Sequence, residues 1–237
     1  MSNFEDLKNK STQIWHQLVE GNSPWVRIGT ALCGKSAGAD AVVLAFQQSF
    51  ENHGISAVVS EVGCLGLCHA EPLVDVNVPG MSRIVYGNVG PEHVEEIVTQ
   101  HIQEGRPLKD LALGTLGQTD DTSIESLWEH PMLKPQHRIA LRNAGILEPG
   151  NIHQYIANDG YSALNRALRD LTPDEVREEI SKSGLRGRGG AAFPTGTKWN
   201  FLAGSSDPVK YILVNCEEGD PGAFNDKGIL ESDPHSL

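Results

Sequence analysis

Hydrophobic and polar residues follow two different periods along the first hundred residues, and these periods predict both helices and strands. Helical spacing predicts three helices: residues 4–20, residues 39–53 and a helix that Pro91 opens. Alternating or short apolar runs predict four strands: residues 25–32, 55–62, 73–78 and 84–86. Gly54 suits the C-terminal end of the second helix. The order is a leading helix followed by β-α-β-β-β-α, which predicts an α/β domain over residues 1–105.

A second domain is predicted beyond a polar segment. Residues 106–128 mix polar residues with glycine and are interpreted as a linker. Residues 129–237 have a different pattern and are assigned to the second domain. Its predicted elements are helices over 151–158 and 161–168, a helix that begins with a capping box at Thr172, and a short buried strand over 210–214.

Composition excludes several classes of function. The chain has 237 residues, of which 39% are hydrophobic, so it can form packed domains. Its net charge of −12 disfavours general nucleic-acid binding, because an acidic protein repels phosphate. No apolar run approaches the roughly 20 residues that span a bilayer, and the N-terminus does not resemble a secretory signal. We therefore expect a cytoplasmic protein that reaches the inner membrane, if at all, through partner subunits.

A glycine-rich loop contains the first candidate binding residues. Four glycines and two arginines occur in the seven residues 184–190. Glycine lets successive backbone N–H groups approach a phosphate or a flat ring, and the basic side chains supply positive charge. A flexible loop without a ligand is the alternative, because a glycine-rich motif by itself is weak evidence. The candidate binding residues here are Gly187, Arg188, Gly189, Gly190 and Lys198.

Polar residues follow the predicted strand over 210–214. Asn215, Glu217, Glu218 and Asp220 occur within six residues there. Open α/β sheets place ligand groups beyond the ends of their strands, and carboxylates can accept hydrogen bonds from ribose hydroxyls. A solvated acidic turn is the alternative, although it does not explain why a basic loop precedes it.

These two segments together resemble a known family, the flavoprotein subunit of respiratory complex I and the related diaphorase subunits of NAD-linked hydrogenases and formate dehydrogenases. The motifs that carry the resemblance are Leu185-Arg186-Gly187-Arg188-Gly189-Gly190, Phe193-Pro194-Thr195-Gly196, Lys198-Trp199, Asp220-Pro221-Gly222 and Leu230-Glu231-Ser232-Asp233-Pro234-His235. The resemblance is strong over residues 130–237 and moderate over residues 27–105. It implies an N-terminal thioredoxin-like domain followed by the start of a Rossmann-like FMN- and NADH-binding domain.

The resemblance also implies roles for individual residues. The Gly187–Gly190 loop and Lys198 would bind the FMN phosphate and ring, and Asn215, Glu217 and Glu218 would surround the flavin. The remaining implied roles are stacking of Phe193 and Phe201 on the nicotinamide nucleotide and a contact of Asp220 with the NADH ribose. The chain departs from the family pattern at Glu217, where aspartate is usual, and at Cys216, where alanine is usual.

Three cysteines of the first domain resemble part of an iron–sulfur site. Cys64 and Cys68 form a C-x₃-C pair, and Cys33 follows the first predicted strand. The related thioredoxin-like domain ligates a 2Fe–2S cluster through four thiolates, so this chain is one cysteine short. Ser36 or His69 could substitute for the fourth cysteine. The alternative is a domain that keeps the fold and has lost the cluster.

The resemblance predicts that the protein oxidises NADH with FMN and passes single electrons to iron–sulfur clusters, in the manner of an NADH:acceptor oxidoreductase with a quinone-type acceptor. Its partners would be other iron–sulfur subunits of a multi-subunit dehydrogenase. The family continues into a region with a 4Fe–4S cluster, which residues 1–237 do not include, so the sequence is interpreted as a fragment. A non-catalytic assembly module of the same complex is the alternative.

Overall fold

The computed structural model describes residues 3–117 and 123–237, and the chain divides into two units. The first unit comprises Met1–Asn158 with Glu218–Leu237, and the second comprises Asp159–Glu217. The domain boundaries predicted at residues 105 and 129 stay predictions. No helix in the described part of the chain is both long enough and apolar enough to cross a membrane.

A five-stranded mixed sheet is the centre of the first unit. Its strands are β1 (Trp25–Gly29), β2 (Val58–Val62), β3 (Val74–Asn77), β4 (Arg83–Tyr86) and β5 (Ala112–Leu116). Their order is β2-β1-β3-β4-β5, with β1 parallel to β2 and the other neighbours antiparallel. The βαβ unit followed by a β-hairpin and a helix is the arrangement that the sequence predicted, so the α/β class and the thioredoxin-like arrangement are confirmed.

Helices and short turns complete the first unit. The helices are α1 (Phe4–Val19), α2 (Leu32–Ser36), α3 (Ala39–His53), α4 (Pro91–Glu96) with a π-helical continuation over Ile97–Gln103, α5 (Ile152–Ala157) and, near the C-terminus, α9 (Asn225–Ser232). Gly54 ends α3 with φ of 62°, a left-handed conformation that favours glycine, as the sequence predicted. Helix α1 packs against α5, where Ser11 and His153 share a hydrogen bond of 2.9 Å.

The sheet buries apolar side chains on one face and a charged pair on the other. Val26 and Ile28 are fully buried with the apolar face of α3. Between them Arg27 points to the opposite face, because side chains alternate along a strand. There Arg27 pairs with Asp75 and donates to the carbonyl oxygen of Ile146 at 2.7 Å. The ion pair is therefore buried on the face of the sheet opposite α3.

The second unit is made of short helices and a loop. Its helices are α6 (Ser162–Asp170), α7 (Pro173–Lys182) and α8 (Thr195–Ala203). The predicted capping box is confirmed: the Thr172 side chain accepts from the Glu175 N–H, and the Glu175 carboxylate accepts from the Thr172 N–H at 2.7 Å. Helix α7 packs against α8, which fixes the two ends of the glycine-rich loop between them.

Three local predictions were wrong. Residues 210–214 do not form a buried strand: Ile212 is 91% exposed, because no described strand pairs with this segment. Within the predicted linker, residues 112–116 form β5, because their backbone pairs with the free edge of β4. Residues 118–122 of that linker lie outside the described residues. The third error concerns Cys33, which lies in α2 rather than at the end of β1.

Candidate functional site

The glycine-rich loop of the second unit is closed at its base by backbone hydrogen bonds. The Gly187 N–H donates to the Phe193 carbonyl oxygen at 2.8 Å, and the Thr195 N–H donates to the Leu185 carbonyl oxygen at 2.9 Å. These two bonds hold residues 185–187 against residues 193–195. Residues 188–192 therefore form a projecting turn directly before α8. The loop lines an open depression of about 470 Å³.

Two glycines of this loop differ in what their positions allow. Gly190 has φ of 94°, a backbone conformation that side-chain-bearing residues rarely adopt. Gly189 has no such restriction, and a Cβ added there would meet no atom within 4 Å. The space beside Gly189 is therefore open to a ligand rather than filled by the protein.

The loop also has backbone N–H donors and positively charged side chains that form no hydrogen bond or ion pair within the described part of the chain. Within residues 3–117 and 123–237, no acceptor bonds the backbone N–H groups of residues 188–191. The side chains of Arg188 and Lys198 form no ion pair within the same part of the chain, whereas Arg186 donates to the Ala192 carbonyl oxygen at 3.1 Å. Successive free N–H groups beside unpaired cations are the donor set that binds a phosphate.

Exposed aromatic side chains lie on the same unit. The rings of Phe193 and Phe201 have centroids 6.4 Å apart, and the two side chains are 41% and 69% exposed. Aromatic rings are normally buried, so an exposed pair offers a surface on which a flat ring can stack. The structure therefore brings together two aromatic residues that the sequence assigned to nucleotide binding.

The predicted polar residues after position 214 are divided between the two units. In the second unit, Asn215 accepts a hydrogen bond from the Glu217 N–H at 2.9 Å, which forms a local turn. In the first unit, Asp220 is exposed, and the Glu218 carboxylate accepts from the N–H groups of residues 225–227. The pKa of Glu218 lies below its usual value, mainly because the Lys227 N–H donates a hydrogen bond to the carboxylate. Glu218 thus caps the N-terminus of α9, and the predicted flavin roles of these residues stay predictions.

The three predicted metal ligands meet in the first unit. The Cys68 thiol lies within hydrogen-bonding contact of both Cys33 and Cys64. This contact raises the pKa of Cys33, and burial raises the pKa of Cys64 to about 12. The neutral thiol is therefore favoured at Cys33 and at Cys64. Cys216 belongs to the second unit and is half-buried.

Neither residue that the sequence offered as a fourth ligand is buried in the described part of the chain. Ser36 is exposed on α2, and His69 is exposed with its ring 5.9 Å from the ring of His130. Across the described ranges, no three His, Cys, Asp or Glu side chains are placed to hold a single metal ion. The arrangement therefore does not resemble a mononuclear metal site.

Two charged residues near the thiols were missed by the sequence analysis. Glu71 is only 6% exposed and lies beside Cys64, and burial is the main cause that raises its pKa. Arg138 also faces Cys64, and its Nε and Nη1 atoms are buried without a partner in the described structure. A carboxylate inside the apolar run of residues 70–74 was the available signal for Glu71. No signal for Arg138 exists in the sequence, because 74 positions separate it from Cys64.

Comparison with known proteins agrees with the loop assignment. Residues 180–237 match the family model described as the Nuo51 FMN-binding domain. The HndC subunit of the NADP-reducing hydrogenase of Solidesulfovibrio fructosivorans is 50% identical over 104 residues, which are 44% of this chain and 21% of that protein. A subunit of the NADH-quinone oxidoreductase of Rhizobium meliloti (strain 1021) is 46% identical over 99 residues, which are 42% of this chain and 24% of that protein.

The chain thus spans less than a quarter of the length of these two relatives. Among solved structures, a thioredoxin-like 2Fe–2S ferredoxin from Aquifex aeolicus covers 42% of this chain and 98% of its own, with a TM-score of 0.36 and 23% identity. The chain is similar to this NADH-quinone oxidoreductase component and to HndC, and its residues 180–237 match a Nuo51 FMN-binding domain, in agreement with the family resemblance of the sequence.

Proposed function

We propose that this chain is part of an FMN-dependent NADH:acceptor oxidoreductase subunit with a quinone-type final acceptor. The observation that carries the proposal is the loop over residues 184–192, with free N–H groups, open space at Gly189 and two cations that have no described counter-charge. The match to an FMN-binding domain supports this function rather than that of a non-catalytic assembly module.

The residues of the loop fit the phosphate and ring of FMN. The N–H groups of residues 188–191 would donate to phosphate oxygens, and Lys198 would neutralise charge beside them. The Lys198 Nζ lies 3.5 Å from the position that a Cβ on Gly187 would occupy, so the cation stands directly over the loop backbone. Bound FMN supplies the hydride and single-electron chemistry, and the protein supplies binding and electrostatics.

The remaining predicted residues would complete nucleotide recognition. Phe193 and Phe201 would stack on the nicotinamide nucleotide, since both rings are exposed. Asn215 and Glu217 would contact the flavin from the second unit. Asp220 would accept a hydrogen bond from the NADH ribose and would repel the 2′-phosphate of NADPH. The preference for NADH over NADPH needs a direct test, because one relative is named as an NADP-reducing enzyme and the other as an NADH-quinone oxidoreductase.

The cellular setting follows from the same proposal. Both relatives are named as subunits of larger enzymes. We propose that this protein likewise assembles with iron–sulfur subunits, acts in the cytoplasm and lies peripheral to the inner membrane through those partners.

Titration of FMN fluorescence against the purified chain tests the loop. Gly189→Val should abolish FMN binding, because the side chain would occupy the open space that the ligand enters. Lys198→Ala should weaken binding about tenfold, which corresponds to about 1.4 kcal/mol for a charge-assisted contact.

Matched controls separate loss of the site from loss of the fold. Gly150→Val adds the same side chain at a position that is equally open but lies in the first unit. Lys182→Ala removes a cation that already pairs with Glu178. Both controls should bind FMN as the unmodified chain does. Equal FMN affinity in Gly189→Val and Gly150→Val would contradict the loop assignment.

Isothermal titration with NADH and NADPH tests the ribose contact. Asp220→Asn should weaken NADH binding more than NADPH binding, because the repulsion of the 2′-phosphate is lost together with the hydrogen bond. Asp40→Asn, which removes an exposed carboxylate from α3, is the control. A nucleotide preference that Asp220→Asn leaves unchanged would remove Asp220 from the proposed site.

A further inference from the structure

A buried carboxylate with an unused oxygen lies beside the three thiols of the first unit. Glu71 is almost fully buried, as only 6% of its surface is exposed. Its Oε2 accepts from the Leu73 N–H at 2.8 Å, whereas its Oε1 has no partner among the described residues. A buried polar atom without a partner costs free energy, so a specific reason for its position is expected.

The backbone holds this carboxylate against the segment that carries Cys33. A Cβ placed on Gly34 would lie 3.2 Å from the Glu71 Oε2, and a Cβ placed on Gly29 would lie 3.0 Å from the same atom. Glycine at both positions therefore leaves the room that the carboxylate occupies between the end of β1 and helix α2. Cys33 is the direct neighbour of Gly34 in α2.

The three thiols interact with one another, and one of them interacts with the Glu71 carboxylate. Cys68 is in contact with Cys33 and with Cys64, and the Cys64 thiol hydrogen-bonds to the Glu71 carboxylate. The short loop between Cys64 and Cys68 is held by the Gly66 N–H, which donates to the Cys64 Sγ at 3.1 Å. Three sulfur donors and one oxygen donor thus come together. Helix α2 supplies Cys33, the loop supplies Cys64 and Cys68, and Glu71 directly precedes Pro72.

The guanidinium group of Arg138 can balance the negative charge of such a donor set. Two guanidinium nitrogens of Arg138 are buried and have no partner in the described structure, and the group faces Cys64. Metal-bound thiolates would give this cation an anion to pair with, because ligation removes the thiol protons.

We propose that Glu71 completes an iron–sulfur site in which Cys33, Cys64 and Cys68 supply the other three ligands. A 2Fe–2S cluster needs four protein ligands spread over two irons, and ligands other than cysteine occur in such clusters. The Oε1 atom of Glu71 has no hydrogen-bond partner among the described residues, and its carboxylate lies beside Cys64, so it can serve as the fourth ligand. On binding, the three thiol protons and any carboxyl proton pass to solvent, with no change in oxidation state of the ligands.

Glu71 is favoured over the two ligands that the sequence suggested. Ser36 and His69 are both exposed, and the His69 ring lies beside His130. Neither has a buried atom that lacks a partner in the described part of the chain.

Anaerobic reconstitution of the full chain with ferric iron and sulfide tests the proposal. The unmodified chain should retain about two irons per chain after gel filtration and give an electron paramagnetic resonance signal on dithionite reduction. Glu71→Gln should lose more than half of that iron, because an amide is a poor ligand for ferric iron. Glu71→Cys should keep the iron with a shifted spectrum and reduction potential, since a fourth thiolate replaces the oxygen.

Controls make the result specific to Glu71. Glu61→Gln removes an exposed carboxylate from β2 and should leave iron content and spectrum unchanged. Circular dichroism of each variant before reconstitution shows whether it is folded, and Glu71→Cys tests the ligand even where Glu71→Gln does not fold. An unmodified chain without a cluster, a Glu71→Cys spectrum identical to that of the unmodified chain, or a spectrum changed by Ser36→Ala or His69→Ala would overturn the proposal. None of these readouts depends on flavin or nucleotide binding.

Discussion

The two units differ sharply in how much of their apolar sequence is buried. In the first unit, Phe46 of α3 and Ile28 of β1 are fully buried in a cluster that spans the sheet and its helices. In the second unit, Phe201 is 69% exposed and Leu168 is 78% exposed. Only Gly160 and Gly196 are buried among residues 159–217. Helices of both units were predicted from the sequence, yet only the first unit has a core.

This difference shows which forces stabilise each unit. Burial of a large apolar side chain contributes about 1.5–3 kcal/mol, so the first unit gains stability from many such residues. The second unit depends on capping, helix–helix contact and exposed ion pairs, each of which contributes less. The residues assigned to FMN accordingly lie on elements with little internal packing, whereas the cysteines lie beside a rigid sheet.

The largest expected difference comes from removing one phenylalanine in each unit. Phe46→Ala should lower the free energy of unfolding of the first unit by about 3–5 kcal/mol, because it leaves a cavity in a packed core. Phe201→Ala should change stability by less than about 0.5 kcal/mol. Urea unfolding with peptide-resolved hydrogen exchange measures both; equal effects would show that the second unit has a comparable core.

Removal of one charged group should likewise lower the free energy of unfolding much more in the first unit than in the second. Asp75→Asn leaves the buried Arg27 without its anion, which should cost about 3–5 kcal/mol. Arg83, over the ring of Trp25, also loses that anion, and burial already lowers its pKa to about 10. Glu179→Gln breaks an exposed pair of the second unit and should have no measurable effect on urea unfolding. A small loss in Asp75→Asn would mean that water reaches the pair.

A pH effect from a buried histidine is expected in the first unit alone. Burial lowers the pKa of His101 to about 4, below the value of about 6.5 in an unfolded chain. The unfolded state therefore binds more protons between these values, so stability is complete above about pH 6.5 and falls as the pH drops toward 4. The total loss should be about 3 kcal/mol.

The variant His101→Gln is the control for this effect. It should flatten the pH dependence of the urea midpoint between pH 4 and 6.5, because the titrating group is gone. His101 shares a hydrogen bond of 2.9 Å with Tyr86, so a general loss of stability is also expected. Residues 159–217 contain no histidine, and their hydrogen exchange should show no such slope. An unchanged slope in His101→Gln would assign it to other groups.

The smallest effect is expected at the start of α7. Thr172→Ala removes the side-chain acceptor of the capping box and should destabilise that helix by about 1 kcal/mol. Faster hydrogen exchange over residues 173–182, with no change in the first unit, is the expected measurement. A global loss of stability would show that the two units unfold together.

Local signals predicted much of the fold and part of the sites. The ends of α3 and α7 follow from Gly54 and from the capping box, because these depend on residues within one turn. Strand β5 and the absence of a strand over 210–214 could not be predicted, since strand formation depends on a neighbour elsewhere in the chain. The apolar run Tyr211–Val214 has strand propensity, but no described strand pairs with it.

The sequence by itself determined the α/β class, the thioredoxin-like order of elements and the glycine-rich loop with its cations, because these depend on periodicity and on contiguous motifs. Only the tertiary structure decided that the Cys68 thiol interacts with those of Cys33 and Cys64, and that Glu71 and Arg138 lie beside Cys64. The physical reason is that burial and the convergence of side chains depend on segments far apart in the chain. A carboxylate with an unused oxygen is recognisable only once the packing around it is known.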